Sequence, residues 1–137
     1  MTYLLDTAVW LNGLTMPEVL PARVRSVLEG DAQRALCTVS LLETAILHRL
    51  GRLVFEGNLL ELFRAGLSQD LRLVELTPAI AATTNALPRT FQGDPFDRTI
   101  VATAAVMGAT LITSDPAIRL ARACVVEYYP FKPRRQR

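Results

Sequence analysis

The apolar residues of this 137-residue chain fall into short runs that alternate with longer stretches of helical periodicity. The short runs predict buried strands over residues 3–5, 35–39, 71–76, 110–113 and 125–128. The periodic stretches predict helices over residues 7–14, 18–29, 40–50, 55–68, 95–107 and 116–123, with another from residue 78. Because strands and helices alternate, the pattern predicts an α/β fold with a central parallel sheet of about four to five strands and helices on both faces.

Acidic side chains follow several of the predicted strands. Asp6 comes directly after the first strand, Asp115 lies two residues beyond the fourth, and Glu43 lies in the helical turn after the second. Asp94 and Asp97 open the longest helix. Each acid singly fits a helix cap, including a capping box in which Ser40 begins the helix that holds Glu43. Since parallel strands deliver their carboxyl ends to one edge of a sheet, however, we expect these acids to lie together.

A cluster of carboxylates indicates a bound divalent cation. Neighbouring carboxylates repel one another, and a hard cation such as Mg²⁺ removes that repulsion while using only oxygen ligands. A metal held this way polarises phosphoryl oxygens and activates water. With one histidine and two cysteines, the chain does not offer the ligands of a zinc cluster. The residues therefore predict metal-dependent chemistry on a phosphate-containing substrate.

The charge distribution and the cysteines bear on partners and compartment. Fifteen bases and thirteen acids give +2, yet four bases lie in the last six residues, which leaves eleven bases against thirteen acids, or −2, in the body. This tail, residues 130–137 after a domain over 1–129, is either a solvated terminus or an arm that binds phosphates. Cys37 and Cys124 are expected to be reduced, buried thiols of a cytoplasmic protein. No apolar run reaches the roughly 18 residues that span a membrane.

Four motifs in this order resemble those of the PIN-domain ribonucleases, specifically the VapC-type toxins of toxin–antitoxin systems. They are Tyr3-Leu4-Leu5-Asp6-Thr7, Ser40-Leu41-Leu42-Glu43-Thr44-Ala45, Gly93-Asp94-Pro95-Phe96-Asp97-Arg98 and Leu111-Ile112-Thr113-Ser114-Asp115. The resemblance covers essentially the whole chain as far as Tyr128. One departure is Gln92, where relatives with this motif commonly carry histidine.

The resemblance implies a three-layer α/β/α fold and a role for each of several residues. The family's four acids, which hold Mg²⁺ or Mn²⁺, match Asp6, Glu43, Asp97 and Asp115. Residues expected to support these ligands are Asp94, Thr7 and Thr113. Arg98, in the third motif, is expected to contact RNA. The charge pattern, rather than the resemblance, makes further bases candidates for the same role: Lys132, Arg134, Arg135 and Arg137 in the tail, and the scattered Arg23, Arg25, Arg34, Arg49 and Arg52.

The function that the resemblance implies is an endoribonuclease toxin that hydrolyses RNA phosphodiesters, including those of structured RNAs such as tRNA, with metal-activated water. An antitoxin protein would cover its acidic groove, and two copies would pair through helices. The apolar stripe at 55–68, with Trp10 and Leu14, forms that groove, the dimer face or ordinary core. Two alternatives are a PIN nuclease of RNA maturation and a non-catalytic binding module. A pure binder has no use for four clustered acids, which argues against the second.

Overall fold

A computed structural model describes residues 1–67 and 70–131 of the chain. Its sheet has five strands: β1 (Thr2–Leu5), β2 (Gln33–Cys37), β3 (Leu71–Val74), β4 (Thr110–Thr113) and β5 (Val125–Tyr128). All neighbouring strands are parallel, in the order β3-β2-β1-β4-β5. The predicted α/β class and the parallel sheet of four to five strands are therefore confirmed. The tail bases Lys132, Arg134, Arg135 and Arg137 lie outside the described residues.

In the described part of the chain, seven α-helices connect the strands: α1 (Thr7–Thr15), α2 (Ala22–Glu29), α3 (Val39–Arg49), α4 (Leu59–Gly66), α5 (Pro78–Ala86), α6 (Pro95–Met107) and α7 (Pro116–Ala121). A short 3-10 turn covers Pro17–Val19. Within the described residues, none of these helices is long and apolar enough to cross a membrane.

Alternate residues of the central strand β1 face opposite layers of helices. Leu4 packs with Ile100 and Val101 of α6, whereas Leu5 packs with Val9 of α1. This alternation is what a strand covered on both faces requires, because successive side chains point to opposite sides of the sheet. The result is the three-layer α/β/α arrangement that the resemblance implied.

Helix α4 packs against α1 through side chains from the apolar stripe. The Trp10 ring is 3% exposed and stacks on Phe63 with 6.3 Å between ring centroids. Its indole N–H donates to the carbonyl of Gly66 at 3.1 Å. A Cβ atom at Gly66 would lie 2.7 Å from Cζ2 of the buried Trp10 ring, which has little room to move, so this close approach favours glycine. Trp10 and Phe63 are thus core residues, while Leu60 in the same stripe is exposed.

Several predicted boundaries were wrong for identifiable reasons. The helix expected over 18–29 is interrupted at Pro21, which precedes α2 and lacks the N–H that a continuous helix needs. The helix expected from residue 55 begins only at Leu59, after Gly57 with φ +90 and a capping box between Asn58 and Glu61. Both cysteines are free as expected, although Cys124 is half-buried.

Candidate active site

The candidate site lies where the strand order reverses. The chain adds β2 and β3 on one side of β1 and β4 and β5 on the other. At such a switch point the helices that follow neighbouring strands diverge, which leaves a crevice beyond the carboxyl ends of the strands. Asp6 follows β1 and its N–H donates to the carbonyl of Ile112 in β4 at 3.1 Å. The first predicted ligand is therefore fixed at the crevice by the sheet itself.

Asp6 is held by hydrogen bonds to both carboxylate oxygens. Its Oδ1 accepts from the Thr7 N–H at 2.9 Å and its Oδ2 accepts from the Thr113 hydroxyl at 2.6 Å. The Thr113 Oγ1 in turn accepts the N–H of Asp115 at 3.0 Å. One hydroxyl thus links two of the predicted acids, as expected for Thr113. Burial raises the pKa of Asp6, against the lowering effect of these hydrogen bonds.

Two residues that sequence reasoning did not assign to the site fix α3 beside it. The Thr7 hydroxyl donates to the Ser40 Oγ at 2.8 Å, and the Thr44 hydroxyl donates to the Ser40 carbonyl at 2.7 Å. Ser40 and Thr44 are fully buried. The expected capping box was wrong, because α3 begins at Val39 and the Ser40 hydroxyl is inside the helix rather than at its cap. The sequence signal that could have identified Ser40 and Thr44 is their spacing, since two small polar residues four positions apart lie on one face of a helix.

Glu43, Asp94 and Asp97 form the tightest group of acids. One carboxylate oxygen from each lies within 4.8 Å of the others. Asp94 Oδ1 also accepts from the Asp97 N–H at 2.8 Å, which makes Asp94 the N-cap of α6, as expected. Asp94 was expected only to orient Asp97. Its carboxylate, however, lies close enough to that of Glu43 for both to bind the same ion. The described residues thus bring five acids, rather than four, to one region.

The electrostatics of this group favour a cation. Burial and the neighbouring charge of Asp94 raise the pKa of Asp97 from 3.8 to about 7. Burial and the nearby carboxylates of Asp6 and Asp94 also raise the pKa of Glu43. The raised pKa values of Glu43 and Asp97 mean that a nearby cation would favour their ionised forms.

The oxygen donors fit Mg²⁺ or Mn²⁺. The Oε1 atom of Glu43 is buried and has no hydrogen-bond partner among the described residues. A buried carboxylate oxygen without a donor is costly, and a coordinated cation would satisfy it. Hard cations of this kind take carboxylate oxygens and keep several waters, for which the cleft has room. The residues that would hold the ion are Asp6, Glu43, Asp94, Asp97 and Asp115.

The acids open into a cleft with a volume of about 380 Å³. All four predicted ligands line it: Asp6, Glu43, Asp97 and Asp115. The remaining walls come mainly from α1 and from the segment after α3.

Arg98 is engaged inside the fold. Its guanidinium donates to the carbonyls of Phe91 at 2.8 Å and Thr84 at 2.7 Å, and it lies over the Phe91 ring. These bonds tie α5 to the start of α6 and so support the loop that carries Asp94. The expected contact between Arg98 and RNA stays a prediction.

The comparisons with known proteins agree with this geometry. The PIN domain family model matches residues 3–124. The chain belongs to the PIN-domain family. It is also 35% identical over 118 residues to Ribonuclease VapC22 of Mycobacterium tuberculosis, covering 86% of this chain and 90% of that protein. The resemblance drawn from the four motifs is thereby confirmed.

Solved structures of other PIN-domain proteins share the fold. VapBC2 from Rickettsia felis, bound to a DNA fragment from its promoter, superposes with a TM-score of 0.72 at 15% identity, covering 93% of this chain and 98% of that chain. DNA-bound VapBC from Salmonella typhimurium superposes with a TM-score of 0.70 at 15% identity, over the same shares of the two chains. At these identities the likeness establishes the fold alone.

Proposed function

We propose that this PIN-domain protein is a Mg²⁺-dependent endoribonuclease and the toxin of a toxin–antitoxin pair. The observation that carries the proposal is the meeting of Asp6, Glu43, Asp97 and Asp115 in one cleft at the switch point of the sheet. Similarity to a ribonuclease over most of both chains supports RNA as the substrate. An acidic cleft repels a phosphate backbone without a metal, so the same observation supports metal dependence.

The proposed roles follow from the contacts of each acid. Asp6 is the most constrained, since Thr113 and the Thr7 N–H fix both of its oxygens. Asp97 holds a proton up to about pH 7 and releases it when a cation binds. Glu43 supplies its unpartnered Oε1. When bound, Mg²⁺ would polarise the phosphodiester and lower the pKa of the attacking water.

The proposal includes an antitoxin as protein partner. The solved relatives named above are VapBC complexes, and this chain has an apolar groove of about 220 Å³ between α1, α2 and α4. Trp10, Leu14 and Leu28 line the groove. A concave apolar surface of this kind accepts an amphipathic helix or an extended segment. Pairing of two copies through helices stays a prediction.

The nuclease proposal is tested by incubating the purified, antitoxin-free protein with total RNA in Mg²⁺ or excess EDTA and sequencing the new 5′ ends. Asp97→Asn and Asp6→Ala are expected to abolish cleavage. Asp31→Asn is the matched control, because Asp31 is exposed and precedes β2, away from the carboxyl ends of the strands. Cleavage that persists in EDTA or in Asp97→Asn contradicts the proposal. Absence of cleavage with intact RNA binding would favour a non-catalytic module.

The antitoxin proposal is tested by adding the product of the neighbouring reading frame to the cleavage assay. Ala65 is exposed and lines the groove, so Ala65→Glu is expected to weaken inhibition while leaving cleavage intact. Ala82→Glu on the exposed side of α5 is the control. Equal inhibition of both variants would place the antitoxin elsewhere.

A further inference from the structure

The acidic cleft has one base in its described lining. Four carboxylates, from Asp6, Glu43, Asp97 and Asp115, line the cleft together with Arg52. We propose that Arg52 binds a backbone phosphate of the RNA next to the scissile one. This inference rests on the proposed nuclease function and adds to it the residue that holds the strand.

A rigid helix cap fixes the position of Arg52. The N–H of Arg52 donates to the Leu47 carbonyl at 2.9 Å, and the N–H of Gly51 donates to the His48 carbonyl at 3.0 Å. This pair of bonds, with Gly51 at φ +73, is the Schellman motif that ends α3. His48 also bonds through Nδ1 to the Leu53 carbonyl at 3.1 Å, which fixes the residue after Arg52. The backbone of Arg52 therefore lies at a defined place just beyond the end of the helix that carries Glu43.

The Arg52 side chain is available for a ligand. It is exposed, and within residues 1–67 and 70–131 its guanidinium has no hydrogen-bond or ion-pair partner. By contrast, some other arginines of the described residues already bind groups of the protein, as Arg98 does. Arg23 binds Glu127 and the Tyr128 carbonyl, and Arg34 binds the carbonyls of Val27 and Gly30.

The positive charge of Arg52 offsets the repulsion between the acidic cleft and the phosphates of RNA. Four carboxylates with a single divalent ion still carry net negative charge, which repels the phosphates that flank the cleavage point. A guanidinium on the wall offers two parallel N–H donors to one phosphate and so offsets this repulsion. Leu47 and Leu53, which also line the cleft, flank the arginine with apolar surface.

The test compares Arg52→Gln with Arg49→Gln. Arg49 is exposed on the last turn of the same helix but does not line the cleft, so it is a matched control for loss of one charge. Arg52→Gln is expected to lower kcat/KM for an unstructured RNA oligonucleotide by roughly 10- to 100-fold, the usual effect of losing a charged hydrogen bond. Arg52→Lys is expected to retain part of the kcat/KM that Arg52→Gln loses. Mg²⁺ affinity, measured by titration calorimetry, is expected to be undiminished in all three variants.

Measurements of RNA binding distinguish a failure of this inference from a failure of the nuclease proposal. On an Asp97→Asn background, Arg52→Gln is expected to reduce the slope of log K against log salt by about 0.7, the value for one phosphate contact with a single strand. If the parent protein cleaves no RNA but this slope falls, the nuclease proposal fails and the phosphate contact stands. If the parent cleaves RNA while Arg52→Gln and Arg49→Gln behave alike in both assays, the function stands and the inference is overturned.

Discussion

Replacing Asp97 with asparagine is expected to stabilise the metal-free protein at pH 8. Burial and the charge of Asp94 raise the pKa of Asp97 from 3.8 to about 7 in the folded state. Asparagine keeps the size of the side chain and removes the negative charge that burial and the neighbouring carboxylates destabilise. The substitution predicted to abolish cleavage is therefore also predicted to raise the free energy of unfolding.

The sign and size follow from proton linkage. Between pH 3.8 and about pH 7 the folded state keeps the Asp97 proton that the unfolded chain releases, so stability falls as the pH rises. At about 1.4 kcal/mol per pH unit the full loss is about 4 kcal/mol. Since the side chain is only half-buried, solvent screening reduces this to about 1–2 kcal/mol. The loss is complete above pH 7 and absent below pH 3.8.

Urea denaturation at pH 5, 6, 7 and 8, in EDTA and in Mg²⁺, checks this prediction. The difference between Asp97→Asn and the parent is expected to grow with pH and level off above pH 7. Mg²⁺ at 100 times its dissociation constant is expected to add about 2.7 kcal/mol to the parent and less to the variant. Asp31→Asn is expected to show neither effect. A variant that is no more stable than the parent at pH 8 in EDTA would refute the reasoning.

Three further predictions concern the support of the site, the core and the tail. Thr113→Val removes the donor to Asp6 and is expected to lower metal affinity at least 10-fold, measured by calorimetry, while Thr113→Ser retains it. Gly66→Ala places a Cβ 2.7 Å from Cζ2 of the buried Trp10 ring and is expected to lower the free energy of unfolding by about 1–3 kcal/mol, measured in urea. Deleting residues 132–137 is expected to reduce the salt slope of RNA binding by about 0.7–0.9 per lost phosphate contact, and an unchanged slope would make the tail a solvated terminus.

The fold was predictable because its signals are local. The apolar runs and the proline and glycine positions fix most elements to within a few residues, and the start of α6 after Asp94 and its end before Gly108 were both predicted. The errors arose where tertiary contacts decide the boundary. Strand β2 ends at Cys37 because α3 already begins at Val39, which turns Ser40 inward to meet Thr7. The pattern of residues along the chain does not predict this hydrogen bond, because Thr7 and Ser40 are 33 positions apart.

Only the approximate location of the candidate site was predictable from the sequence. Strand ends locate Asp6 and Asp115 at the crevice, but which acids come within ligand distance depends on how α3 and α6 pack. That packing brings Glu43 to Asp94 and Asp97, although Asp94 was expected to cap α6 and support the ligands rather than to be one. Arg52 was one of many scattered arginines along the chain, and only the cap that ends α3 brings it to the cleft.

Capping and metal binding, which compete as explanations of these acids in the sequence, are compatible in the structure. Asp6, Asp94 and Asp115 each use Oδ1 to cap the helix that follows, which leaves the other oxygen of Asp94 and Asp115 free of any bond within the cap. The partial positive charge at three helix N-termini offsets part of the repulsion among the carboxylates. Asparagine caps helices as well as aspartate does, whereas alanine does not. At Asp6, Asp94 and Asp115, aspartate-to-asparagine variants therefore remove the charged ligand and keep the cap, while alanine variants lose both.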